Sequence, residues 1–209
     1  YIIAYSKLGM IFFFDIESQQ LVHEWLAHEG DLGKIRQIAL FSRQPKKFLV
    51  SASQDSSLRV WDITSVESQS VTRISTMDAH LFPVMDMTLS PIKNKLASTD
   101  KSGVTYIWDS KFSKITKTFE GGHQGPVRVV CWHEDETKLF TGGFDTVIIC
   151  WNVKTGEKLY RLGDHTASIQ AICCYKNYMI SGSDDTTIYV WDVRLGSSVL
   201  AIPNHTEGV

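Results

Sequence analysis

Four tryptophans, each followed by Asp or Asn, recur along the chain as Trp61-Asp62, Trp108-Asp109, Trp151-Asn152 and Trp191-Asp192. They lie 47, 43 and 40 residues apart. A Ser or Thr stands ten residues before each Trp (Ser51, Ser98, Thr141, Ser181), and in three of the four units an Asp stands six before it (Asp55, Asp145, Asp185). Each unit also has a histidine upstream, at His28, His80, His123 and His165, with His205 opening another. The segment 181–192 shows the unit most plainly, with two short apolar runs around a tight polar turn. At the front, Ala4, Leu8 and Phe14 keep the frame without the polar residues. Self-similarity at this period means one supersecondary unit built repeatedly, its core buried between stacked copies.

A period of about 40–45 residues is that of a four-stranded propeller blade. The apolar runs have strand composition: Met10–Phe14, Ile35–Phe41, Val127–Trp132, Val147–Trp151 and Ile169–Tyr175 are rich in β-branched and aromatic residues and bounded by Gly, Asn, Asp and Ser. With these residues in place the chain resembles the WD-repeat β-propeller family over nearly its whole length. The resemblance implies an all-β fold with about four full blades and partial repeats at both ends, an incomplete ring that is part of a larger propeller. The expected repeats are 1–26 (degenerate), 27–78, 79–121, 122–163 and 164–203, with 204–209 starting the next.

The resemblance also implies a role for the recurring polar residues, a buried hydrogen-bond network within each blade. It carries over to His28, Ser51, Asp55 and Trp61; to His123, Thr141, Asp145 and Trp151; and to His165, Ser181, Asp185 and Trp191. The third unit has His80, Ser98 and Trp108, but Ser102 fills the aspartate slot and Asp100 is displaced by two. The front unit lacks all the polar members. Ser, His and Asp together also describe a hydrolase triad. A triad is needed once, in a cleft, so three copies in register point to a structural device, and no catalytic residue is expected. Five of the seven histidines occupy the repeat slot, and His23 and His133 have no acidic or cysteine partner at ligand spacing, so neither a metal nor a cofactor is expected.

The formal net charge of −2 offers no global field for nucleic acid or an anionic membrane. Cys131, Cys150, Cys173 and Cys174 form no Cys-x-x-Cys pair and are expected as buried thiols in a reducing compartment. No leader sequence and no apolar run of about 18 residues is seen, which makes an intracellular, cytoplasmic location the default expectation.

Recognition is then expected at the surface. In the family, partners dock where the inner strands enter the channel, through the residues flanking the first buried aliphatic of the strand and the residue before the network aspartate. Alignment on Ile35, Val84, Val127 and Ile169 carries these roles to Lys34, Arg36 and Gln54; Pro83, Met85 and Lys101; Pro126, Arg128 and Phe144; and Ser168, Gln170 and Asp184. Lys34, Arg36, Lys101 and Arg128 are expected to gather around Met85 and Phe144 and to take an acidic or phosphorylated peptide. The expected function is a non-enzymatic protein–protein interaction scaffold in an intracellular multiprotein assembly. A nucleic-acid-associated factor, such as one of ribosome biogenesis, is the alternative, and a propeller enzyme ranks last.

Overall fold

Short apolar runs punctuated by turn residues become nineteen β-strands, with no α-helix among the described residues. The structure, a computed structural model, describes residues 1–92, 94–203 and 208. His205 and the expected start of a further repeat fall outside the described residues, Gly208 excepted. The chain divides into two compact units, residues 1–84 and 85–209.

In the first unit, β1 (Ile2–Tyr5), β2 (Met10–Phe14) and β3 (Leu21–Leu26) form a three-stranded antiparallel sheet. The second sheet runs in order through β4 (Ile35–Arg43), β5 (Lys46–Ser53), β6 (Leu58–Ser65) and β7 (Ser70–Met77). Ile11, Phe13, Ile35, Leu49, Trp61 and Ile63 form a shared core, and Trp25 packs on it with its ring 6.0 Å from that of Trp61. Each such side chain removed from water contributes about 1.5–3 kcal/mol. The polar segment after β6 is more than a hairpin, since Val66 opens a 3-10 turn and buries its side chain in the same core. Gly9 makes a close approach: its carbonyl accepts the amides of Ala27 and His28 at 2.8 and 3.2 Å.

The second unit holds three four-stranded antiparallel sheets. The first consists of β8 (Val84–Leu89, all but its first residue in this unit), β9 (Leu96–Asp100), β10 (Thr105–Trp108) and β11 (Ile115–Phe119). Next come β12 (Val127–Trp132), β13 (Lys138–Gly143), β14 (Ile148–Asn152) and β15 (Lys158–Leu162), followed by β16 (Ile169–Tyr175), β17 (Tyr178–Ser183), β18 (Ile188–Asp192) and β19 (Ser197–Ile202). Ile107, Phe119, Leu139, Ile149 and Trp151 fill one core, while Phe140, Ile148, Cys150, Ile169, Met179 and Trp191 fill another. Alternating faces of β13 and β14 feed both, as period-2 strands buried on two sides must.

Polar ties cross between these sheets. Asp86 Oδ2 accepts the Val130 amide at 3.0 Å, Trp132 Nε1 donates to the Thr88 carbonyl at 3.2 Å, and Tyr160 donates to the Val193 carbonyl at 2.7 Å. Cys150 is buried and Cys131 and Cys174 half-buried, but Cys173 is exposed, which corrects the expectation of uniformly buried thiols. The reason is alternation along β16: Cys174 faces the core, so its neighbour faces out.

Candidate functional site

The tight turn between the second and third strands of each four-stranded sheet positions the polar residues. Ser56 (φ 70), Thr146 (φ 70) and Thr186 (φ 67), each directly after the network aspartate, adopt the left-handed conformation, and Gly103 (φ 98) takes the same place between β9 and β10. The conformation costs a non-glycine residue about 1–2 kcal/mol, and side-chain bonds to the turn offset it. Asp55 Oδ1 accepts the amide and hydroxyl of Ser57 at 2.9 and 2.8 Å, and Asp185 Oδ1 accepts the Thr187 amide at 2.9 Å.

The other carboxylate oxygen faces a histidine. His28 Nδ1 lies 2.8 Å from Asp55 Oδ2, and its Nε2 lies 2.8 Å from Ser51 Oγ, which accepts from Trp61 Nε1 at 3.0 Å. His123 meets Asp145 at 2.9 Å and Thr141 at 2.8 Å, and Trp151 donates to Thr141 at 2.8 Å. His165, Asp185, Ser181 and Trp191 repeat the set, with all three contacts at 2.8 Å. One proton arrangement satisfies every atom: indole N–H to hydroxyl oxygen, hydroxyl hydrogen to Nε2, and Nδ1–H to carboxylate.

Burial by itself would raise the Asp55 carboxyl. The hydrogen bond from His28, with the two bonds from Ser57, outweighs it and holds the group at about 2. Asp145 and Asp185 are also held below the ordinary carboxylate range against burial, by His123 and the Gln124 amide in one case and by the Thr166 amide and His165 in the other. The hydroxyls cannot act as nucleophiles toward a bound substrate, because Ser51, Thr141 and Ser181 are at most 1% exposed and already bonded on both sides. Among the described residues no group of three His, Cys, Asp or Glu side chains is placed to hold a metal ion.

The third unit differs. Trp108 donates to Ser98 at 2.8 Å and His80 is buried. Asp100, two residues before the aspartate slot, takes over the turn: its Oδ1 accepts the amides of Ser102 and Val104 and the Ser102 hydroxyl.

The expected partner-face residues occupy a distinct backbone feature. In β4, β12 and β16 the register slips by one between Ile35 and Gln37, Val127 and Val129, and Ile169 and Ala171. Arg36, Arg128 and Gln170 are therefore bulge residues, released from the ladder, and all three are half-buried. Beside each bulge a backbone bond closes the site: the Gln54 amide to the Lys34 carbonyl (2.9 Å), Phe144 to Pro126 (3.0 Å) and Asp184 to Ser168 (3.0 Å). Sequence spacing did not reveal these bulges.

Lys34, Arg36 and Gln54 belong to the first unit, and Met85, Lys101, Arg128, Phe144, Gln170 and Asp184 to the second. Within the second unit Arg128 Nε donates to Gln170 Oε1 at 2.8 Å, and Gln170 Nε2 to Asp184 Oδ2 at 2.7 Å, so the guanidinium is oriented by a relay ending on a carboxylate. Phe144 is 45% exposed, Lys101 is exposed and Met85 is half-buried.

The model of the WD domain, G-beta repeat, matches residues 19–62, 113–152 and 156–192, more than half of the chain. The chain belongs to the WD-repeat family. The unmatched stretch between the first two WD-repeat matches contains Ser98, Ser102 and Trp108, the unit whose aspartate is displaced. The chain is similar to Protein HIR1 of Candida albicans, 22% identical over 190 residues, covering 71% of this chain and 21% of that protein. It is similar to Protein hir1 of Schizosaccharomyces pombe, 26% identical over 177 residues, 71% of this chain and 19% of that protein. A chromatin assembly factor 1 component of the same yeast is 24% identical over 151 residues, 63% of this chain and 30% of that protein. The chain thus spans about a fifth of the HIR1 relatives' length.

Proposed function

We propose that this chain is a non-enzymatic interaction module of a chromatin-assembly complex, presenting the bulged ends of its inner strands to partner proteins. The observation that carries the reading is its similarity to the chromatin assembly factor 1 component. Two physical features support it. The recurring hydroxyls and histidines are consumed in buried bonds, and the half-buried Arg36, Arg128 and Gln170 sit at backbone bulges near the starts of their strands. The cytoplasmic location expected from the sequence finds no support among these relatives, and the proposed location is the nucleus.

The experiment is crosslinking and affinity purification of the whole protein from separated nuclear and cytoplasmic fractions. Recovery of chromatin-assembly proteins from the nuclear fraction is the expected result. A partner set confined to the cytoplasm, or one made of ribosome-biogenesis factors, would overturn the assignment. Direct contact with DNA is a second role consistent with such a complex, but the net charge of −2 favours protein partners.

A further inference from the structure

The turn between β1 and β2 and the start of β4 flank an open cleft of about 320 Å³, lined by Tyr5, Ser6, Lys7, Lys34, Ile35 and Arg36. All six residues belong to the first unit. Two of the polar members, Ser6 and Lys7, come from the front repeat, which lost its internal network and to which sequence reasoning assigned no role.

The lining is chemically one-sided. It contributes three cations and no carboxylate. Lys7 is exposed and Lys34 half-buried, and among the described residues neither forms an ion pair. Ser6 Oγ accepts the amides of Leu8 and Met10 at 3.1 and 3.2 Å, which fills its lone pairs and leaves its hydrogen to donate outward. Buried Ile35 and the Tyr5 ring form apolar walls, and the Tyr5 hydroxyl is spent on the Arg36 carbonyl at 3.3 Å. An oxyanion in the cleft would gain charge-assisted hydrogen bonds from the Lys7 and Lys34 ammonium groups.

We infer that this cleft binds an oxyanionic side chain of a partner peptide, a carboxylate of Asp or Glu or a phosphoserine, with Lys7 and Lys34 supplying charge and Ser6 a directed hydrogen bond. The inference rests on the protein-interaction reading above and names the chemistry of one of its contacts. A nucleic acid fits the site less well. Its affinity comes from many phosphates spread along a cationic track, whereas these cations converge on one concavity within a chain of net charge −2.

The test is fluorescence anisotropy of the intact protein with four labelled probes: a Glu-rich peptide, its Gln-substituted counterpart, a phosphoserine peptide and a short DNA duplex. The wild type is expected to bind at least one anionic peptide and not the Gln peptide, and the tighter of the two anionic peptides identifies the oxyanion. The double variant Lys7→Glu with Lys34→Glu is expected to weaken that binding about tenfold or more. Lys154→Glu, in the other unit, should leave it unchanged. The milder pair Lys7→Gln with Lys34→Gln serves as the decisive variant if charge reversal disturbs folding, and should lose affinity in the same direction. Equal affinity in a folded double variant, or binding of the duplex without the anionic peptides, would overturn the inference. Chromatin-assembly proteins recovered normally by that same variant would mean that the cleft assignment failed while the scaffold reading stood.

Discussion

Trp151 Nε1 donates to Thr141 Oγ1 at 2.8 Å, and the same buried oxygen lies 2.8 Å from His123 Nε2. One hydroxyl thus joins two adjacent strands to the loop that precedes the sheet. Thr141→Val keeps the shape but leaves the indole N–H and the imidazole nitrogen without partners, at roughly 1–3 kcal/mol for each group. Trp151→Ala should cost about 3–5 kcal/mol, as large aromatic core truncations do. Urea unfolding of both variants checks this. A loss below about 1 kcal/mol in either would mean that the network does not brace the fold.

Acid should act through the aspartates. Asp55, Asp145 and Asp185 all sit below the ordinary carboxylate range, Asp55 at about 2. A depressed folded value means that the stabilisation is complete above the unfolded value of about 4 and is lost as pH falls through the folded value. Stability measured by urea midpoint should therefore fall between pH 4 and pH 2. The gap between wild type and Asp55→Asn should narrow over the same range.

Much of the network is legible in the sequence because the geometry behind it is local. Ser51 pairs with Arg59 and Trp61 with Leu49 across β5 and β6, which makes Ser51 and Trp61 diagonal neighbours, and the same register places Ser98 beside Trp108, Thr141 beside Trp151 and Ser181 beside Trp191. A two-strand hairpin of fixed length converts directly into a fixed offset of ten residues. The bulges at Arg36, Arg128 and Gln170 leave no comparable mark, because one extra residue in a strand changes register without changing composition. The cleft of Lys7 and Lys34 was invisible for another reason: its halves come from consecutive repeats, and the front one has no polar signature to align. Asp100 illustrates a third case, where a carboxylate two residues ahead of the aspartate slot still accepts the amides of the turn.

Gly9 should tolerate no side chain. It has φ +80, and a Cβ there would fall 1.9 Å from the His28 carbonyl oxygen, in the bond pair that ties the front turn to the residues after β3. Gly9→Ala is expected to destabilise the fold by about 2 kcal/mol or more, since the left-handed backbone penalty adds to the clash. Thermal unfolding measures it.

Thiol labelling separates the cysteines. Cys173 is exposed, whereas burial pushes the Cys150 thiol up to about 11 against the partial compensation of Tyr160. Iodoacetamide with peptide mass spectrometry should modify Cys173 in the folded protein and reach Cys150 only on unfolding. Early modification of Cys150 would contradict its place in the core.

The central claim is that the repeats spend their polar residues internally and leave recognition to the bulged strand ends. Recovery of native partners from nuclear extract by a folded variant carrying Arg36→Glu and Arg128→Glu tests it most directly. The account predicts that partners are lost while the unfolding midpoint stays near that of the wild type. Undiminished recovery would contradict it.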